Sequence, residues 1–226
     1  MKLQKNNFVW WYGVLVLFDI ICGYASLSHL RLVSKPLILS SLIIYFVVQA
    51  KSNRNASFYL MLAALLFSLF GDVFLLFETS SGIYFTLGLG SFLLAHLLFS
   101  LNFIKRWNNN LDSCFKVFVL VLFSYGIVLF FFLKENLGSL QIPVILYILG
   151  ILAMVLTAFK RKGKVPKSSF NFVFIGSLFF VLSDTVLAID KFFMALPMSH
   201  IIIMGTYATA QFLITKGILI QGDFNN

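Results

Sequence analysis

Apolar residues along this chain come in eight long runs separated by short polar gaps. The runs cover residues 8–25, 32–50, 57–77, 82–104, 115–133, 140–159, 170–189 and 198–220. A hydrocarbon core about 30 Å thick takes roughly 20 residues of helix, so each run has the length of one crossing. The gaps carry turn-forming and charged residues, as in Lys51-Ser52-Asn53-Arg54-Asn55, Lys105-Arg106-Trp107-Asn108-Asn109-Asn110 and Lys160-Arg161-Lys162-Gly163-Lys164. The pattern predicts an all-α fold, a polytopic transmembrane bundle of about eight helices forming one integral membrane domain over residues 1–226. Lys2 and Lys5 before the first run have the layout of a secretion signal. Asp19 inside that run, and no small-x-small cleavage site after it, predict a retained first helix.

A faint internal repeat divides this pattern. The stretch from Ala64 to Asp72 overlays that from Gly176 to Asp184 at an offset of 112 residues, and Ala95-His96 overlays Ala210-Gln211 at 115. The aspartate match carries the alignment, because Leu and Phe coincide cheaply in such a chain. Two parallel four-helix halves, 1–110 and 111–226, are the corresponding expectation.

Composition agrees with the membrane reading. Hydrophobic residues make up 60% of the chain and charged ones 11%, against roughly half and a quarter in soluble domains. A net charge of +9 raises nucleic acid as a partner, but the basic residues lie in the gaps and form no patch with interleaved aromatics, which excludes it. Twelve of the 17 Lys and Arg (Lys2, Lys5, Lys51, Arg54, Lys105, Arg106, Lys116, Lys160, Arg161, Lys162, Lys164 and Lys167) fall in the N-terminal tail or near the gaps after the second, fourth and sixth runs. Lys216 makes 13, against Arg31, Lys35, Lys134 and Lys191 on the other side. Basic residues stay inside, so both termini are expected in the cytoplasm, with a bacterial inner membrane as the host. Cys22 and Cys114 fall toward opposite faces, which argues against a disulfide. No oligomeric state is read from the sequence.

Charges within the spans change the picture more. A charged side chain at the bilayer centre costs about 2.5–3.5 kcal/mol on insertion scales, yet Asp19, Asp72 and Asp184 all lie inside runs. His96 and Gln211 sit near the middle of the fourth and eighth, and Lys35, followed by Pro36, opens the second. Under the expected topology the three aspartates and Lys35 gather in the outer half of the membrane, above a floor of His96 and Gln211. Ser68, Gly71 and Asp72 share one helix face, as do Gly88, Phe92, His96 and Ser100, and Tyr207 with Gln211. Structural readings stand beside the chemical ones: Asp19 as partner of Lys35, Lys35 as a snorkelling interfacial charge, His96 and Gln211 as interhelical hydrogen-bonding groups. One lysine cannot neutralise both Asp72 and Asp184, which keeps these two as the candidates for chemistry. His29 and His200 lie at helix ends and His96 in mid-membrane, so a metal site would need the aspartates to join the histidines; neither metal nor cofactor is expected.

At these residues the chain resembles the YhhN-like lysoplasmalogenase family of eight-helix membrane proteins. The likeness is carried by Lys35-Pro36-Leu37, Phe67-Ser68-x-x-Gly71-Asp72-x-x-Leu75, Phe92-x-x-Ala95-His96, Leu182-Ser183-Asp184-x-x-Leu187-Ala188 and Thr206-Tyr207-x-x-Ala210-Gln211-x-Leu213-Ile214. These stretches occur in family order from the second run onward. The resemblance implies hydrolysis of the vinyl-ether bond of a lysoplasmalogen, a lysophospholipid, to a fatty aldehyde and glycerophospho-ethanolamine or glycerophospho-choline. Such hydrolysis begins with protonation of an alkene carbon, and water then attacks the resulting oxocarbenium ion. It needs one carboxylic acid and one carboxylate, by analogy with glycosidases. Asp72 and Asp184 are the expected pair, with His96 orienting water or shuttling a proton. Lys35, Tyr207 and Gln211 are expected to hold substrate oxygens, and Ser68, Ser183 and Asp19 to complete the substrate-binding wall. The competing expectation is a proton-coupled transporter or lipid-handling protein using the same Asp/His cluster.

Overall fold

A computed structural model describes residues 5–50, 54–109 and 113–222. Of the groups counted for orientation, Lys2 and Lys51 lie outside these, as do Ser52, Asn53 and Asn110 of the gaps. Among the described residues the chain is all helical, with α1 Lys5–Tyr24, α2 Ser28–Gln49, α3 Ala56–Leu76, α4 Gly82–Ile104, α5 Ser113–Leu133, α6 Gln141–Phe159, α7 Lys167–Phe192 and α8 Ser199–Leu219. Two 3₁₀ turns, Lys134–Asn136 and Gly138–Leu140, join α5 to α6. All eight helices are long and apolar enough to span a membrane.

Helix ends follow local hydrogen-bonding rules. The Asn55 side chain caps α3 by accepting from the backbone N–H groups of Ser57 and Phe58, at 2.9 and 3.1 Å, which satisfies two of the N–H groups a helix start leaves free. Several helices outrun their apolar stretches, α1 starting at Lys5, three residues before its run. Helix α7 starts three residues before residue 170 and ends three after residue 189, and α2 begins at Ser28 instead of residue 32. The expected position of Lys35 changes accordingly. It does not open α2 but sits two turns inside it, buried. Its polar predecessors Ser28, His29 and Arg31 continue the helix, because helical hydrogen bonding does not stop where hydropathy falls.

Large apolar side chains such as Trp10, Trp11, Leu120, Val128 and Ile142 face outward, where lipid accepts them. Polar groups lie inside instead: Asp19, Ser68, His96, Arg161, Ser177, Gln211 and Thr215 are fully enclosed. The tightest helix pairs are α7 with α8 and α3 with α4. At the first of these, a Cβ on Gly217 would stand 3.0 Å from both the Ser169 carbonyl oxygen and the Val173 backbone nitrogen. Backbone atoms cannot yield as side-chain tips do. Gly217→Val should therefore push α7 and α8 apart and cost about 1–3 kcal/mol, as overpacking does. Thermal unfolding in detergent checks this, and an unchanged midpoint would show that the pair separates freely.

The opposite end from the α1–α2 and α7–α8 turns holds a buried polar network. Arg161, placed by the sequence in the gap after the sixth run, is fully enclosed. Its guanidinium donates to Ser169 Oγ at 3.0 Å and to Gln221 Oε1 at 2.8 Å, and it lies over the Phe103 ring. Ser169 passes a hydrogen bond to the Gly217 carbonyl, and Gln221 reaches Ser57, itself tied to Asn102. The network joins α3, α4, α7, α8 and the segments after α6 and α8.

Candidate active site

Where α2, α3, α7 and α8 diverge, they enclose a polar cavity of about 510 Å³. Both expected carboxylates are on its wall, Asp72 from α3 and Asp184 from α7. They are 112 residues apart in sequence, and each has its own supporting cluster.

Asp72 is 2% exposed and lies 3.6 Å from Lys35 Nζ, so one expected substrate contact is this carboxylate's ion-pair partner. Tyr207 donates to its other oxygen at 2.7 Å. Behind Tyr207, Tyr12 of α1 donates to the Ala208 carbonyl at 3.0 Å, holding α8 in place. A buried ammonium and carboxylate stabilise each other only when both desolvation costs are met by good geometry. The phenol supplies the extra hydrogen bond here.

Asp184 accepts from Tyr147 of α6 at 2.5 Å. His96 Nε2 stands 3.1 Å from the Tyr147 oxygen and 3.3 Å from Asp184 Oδ2. One nitrogen of His96 thus faces both the phenol and the carboxylate. His96 is fully enclosed, edge-on to Phe180, and its Nδ1 has no hydrogen-bond partner among the described residues. Tyr147 was not among the expected residues. A signal existed, since it is the only hydroxyl between Gln141 and Thr157 in an otherwise apolar run.

Asp19 takes a different place. Ser34 donates to it at 2.5 Å, so its neighbour is Ser34 and not the expected Lys35. It is fully enclosed and does not line the cavity, standing behind His200, whose Nε2 is 3.4 Å from the Asp19 carbonyl oxygen. His200 Nδ1 in turn accepts from Arg31 at 3.2 Å. Gly23 of α1 makes room for this ring, since a Cβ there would fall 2.0 Å from His200 Nε2. Ser183 lines the cavity and donates to the Ile203 carbonyl at 3.1 Å. Ser68 and Gln211 are enclosed and do not line it; Ser68 bonds back to Ala64.

The mouth of the cavity carries charge of both signs. His29, Arg31, Lys35 and His200 bring basic groups from α2 and α8, while Glu78 and Asp190 bring carboxylates from the α3–α4 turn and α7. Arg31 was read only as an orientation charge and His200 only as a helix end. Nothing local in the sequence joins them, as 169 residues separate them. Two carboxylates lining one cavity, with bound phenols, an imidazole and a rim of cations, suit proton transfer to a polar-headed, anionic molecule.

The sequence profile of the YhhN family matches residues 30–218. Among curated proteins, a lysoplasmalogenase of Mycobacterium bovis is 31% identical over 136 residues, covering 59% of this chain and 50% of that protein. Human lysoplasmalogenase TMEM86B is 31% identical over 161 residues, covering 71% and 63%. Bovine lysoplasmalogenase TMEM86A is 28% identical over 153 residues, covering 66% and 61%. The match thus spans about half the length of the mycobacterial relative and under two thirds of the mammalian ones. No solved structure is significantly similar to the chain.

Proposed function

From the premise that this chain belongs to the YhhN family, we propose that it is an integral membrane lysoplasmalogenase. It hydrolyses the vinyl-ether bond of lysoplasmenyl-ethanolamine or -choline to a fatty aldehyde and the glycerophospho-alcohol. The observation that carries this reading is the pairing of Asp72 and Asp184 on one polar cavity within the membrane-spanning helices.

Vinyl-ether hydrolysis generates an oxocarbenium ion between the two carboxyl groups. One carboxyl protonates the alkene, and the other stabilises the cation and deprotonates the incoming water. Tyr147 and His96 orient Asp184, while Lys35 and Tyr207 orient Asp72. Lys35 and Arg31 at the mouth attract the phosphate. The excess of basic residues at the other end of the bundle supports cytoplasmic termini in a bacterial inner membrane, and the cavity then opens outward.

The test is aldehyde release from lysoplasmenyl-ethanolamine by protein purified in detergent. Release is expected without vesicles or an ion gradient; its absence from well-folded protein overturns the reading. Within it, Lys35→Met should lower kcat/KM by about 10- to 100-fold, since a hydrogen bond to a charged group is worth about 1.5–3 kcal/mol. Initial rates against substrate concentration measure this, and a change below about twofold would remove Lys35 from substrate binding.

A further inference from the structure

A second cavity meets the polar one at Asp184. It is a narrow slot of about 60 Å³ bounded by α4, α5, α6 and α7, with walls that include Leu89, Leu129, Ile148, Val181, Ala188 and Phe192. Its lining is apolar apart from Tyr125, Tyr147, Asp184 and Thr185. Leu75, Phe92, Asp184 and Leu187 line both spaces, so the slot continues the polar cavity away from its charged mouth.

The outer wall of the slot is loosely held. Helix α5 buries only Leu122, Gly126 and Leu133. It packs mainly on α6 and touches α7 at few points. Across the α5–α7 seam Tyr125 and Thr185 share a side-chain hydrogen bond, and Phe118 meets Phe174 and Phe132 meets Phe193 ring to ring; these contacts are between side chains. A seam of this kind parts more readily toward lipid than the α3–α4 or α7–α8 pairs.

We propose that this slot receives the hydrocarbon chain of the lysolipid, which enters laterally between α5 and α7, and that this orientation makes Asp184 the proton donor. The proposal rests on the hydrolase reading above and adds a direction to it. An apolar chain gains about 0.8 kcal/mol per buried methylene, and the slot is the apolar space continuous with the polar cavity. The carbons next to the vinyl group occupy it, the rest of the chain passes out through the seam, and the phosphate head lies among Arg31, Lys35 and His200.

In a vinyl ether the carbon that accepts the proton is on the chain side, and the carbon that water attacks bears the oxygen. With the chain in the slot, the chain-side carbon lies at Asp184. The oxygen-bearing carbon faces the head-group cavity and Asp72. Asp184 transfers its proton to the chain-side carbon, forming the C–H bond and the oxocarbenium ion. Asp72 removes a proton from the water whose oxygen bonds to the other carbon, giving a hemiacetal. Asp72 then returns that proton to the glycerol oxygen as the C–O bond breaks, and Asp184 takes the proton of the hemiacetal hydroxyl. Both carboxyls regain their starting states, one water is consumed, and aldehyde and alcohol leave.

The probe is a lysophospho-ethanolamine with a 1-O-alkyl chain, which cannot be hydrolysed, carrying a photoreactive diazirine in mid-chain. Labelling of wild-type protein, mapped by mass spectrometry, is expected on α5 and α7 beside the seam. Labels confined to other helices would overturn the slot even if the protein releases aldehyde. Labels at the seam without aldehyde release would keep the slot and remove the hydrolase reading. As a second arm, Ala188→Trp and Leu129→Trp, which fill the slot, should each weaken binding of the alkyl probe tenfold or more. Binding of glycerophospho-ethanolamine, which has no chain, should be unchanged. Equal losses for both ligands would mean that the variants disturb the fold or head-group cavity, and unchanged alkyl binding in both variants would refute the slot.

Discussion

Asp184→Asn is expected to leave the eight-helix bundle folded and to reduce aldehyde release by about 10³-fold or more. The amide keeps the shape of the carboxyl and still accepts from Tyr147, but it can neither deliver nor take up a proton. General acid–base catalysis contributes about 10²–10⁴-fold, which corresponds to roughly 3–5 kcal/mol of barrier. Asp72→Asn should abolish turnover to a similar degree with one difference: it leaves the Lys35 ammonium without its counter-charge at 3.6 Å. Removing one partner of a buried pair costs about 3–5 kcal/mol, so this variant should also unfold at lower temperature. Adding Lys35→Met to Asp72→Asn should recover much of the stability and none of the turnover, a coupling that a double-mutant cycle measures. Rates from lysoplasmenyl-ethanolamine, beside thermal midpoints in the same detergent, separate the two effects. Near-normal turnover in either single variant removes the carboxylate pair from the reaction.

The largest effect away from the site is expected from Arg161→Met. Its two hydrogen bonds to Ser169 and Gln221 are of the charge-assisted kind, worth about 1.5–3 kcal/mol each. Their loss strands two acceptors in an enclosed network, so the expected destabilisation is about 3 kcal/mol or more. Arg161→Lys should recover only part of it, because an ammonium group is a point donor and cannot reproduce the guanidinium fork. The network lies at the end of the bundle away from the cavity. Molecules that remain folded should therefore keep their aldehyde-releasing rate at low temperature. Unfolding midpoints within about 1 °C of wild type would mean that the enclosed arginine contributes nothing net to stability.

The eight spans were legible because hydropathy is additive over about 20 residues and needs no partner to be read. Their limits slipped where polar residues continue a helix, as at Ser28 to Arg31 of α2 and both ends of α7. Asp72 and Asp184 were legible as the exceptional residues of their helices, and both line the cavity. Lys35 was legible as a charge near them but was placed at a helix opening and not two turns inside. Tyr147 was passed over because a tyrosine among apolar neighbours looks like any other core aromatic. Its being the only hydroxyl between Gln141 and Thr157 was a weak signal, and the direction of the hydroxyl, toward an aspartate 37 residues away, gives it its role.

The sequence alone determined that this chain spans a membrane as a helical bundle with carboxylates turned inward. The physical reason is that lipid offers no partner for a charge or for an open backbone group, so composition dictates both the helices and the side of each that carries polar groups. Which charge meets which was decided by tertiary structure. Lys35 pairs with Asp72 and Ser34 with Asp19. His200 joins Arg31, and Arg161 is drawn inside at the other end. These choices depend on the rotation and crossing of helices remote in sequence, where a shift of one residue turns a side chain by about 100°. No local pattern encodes that angle; it is set by the packing of all the helices together.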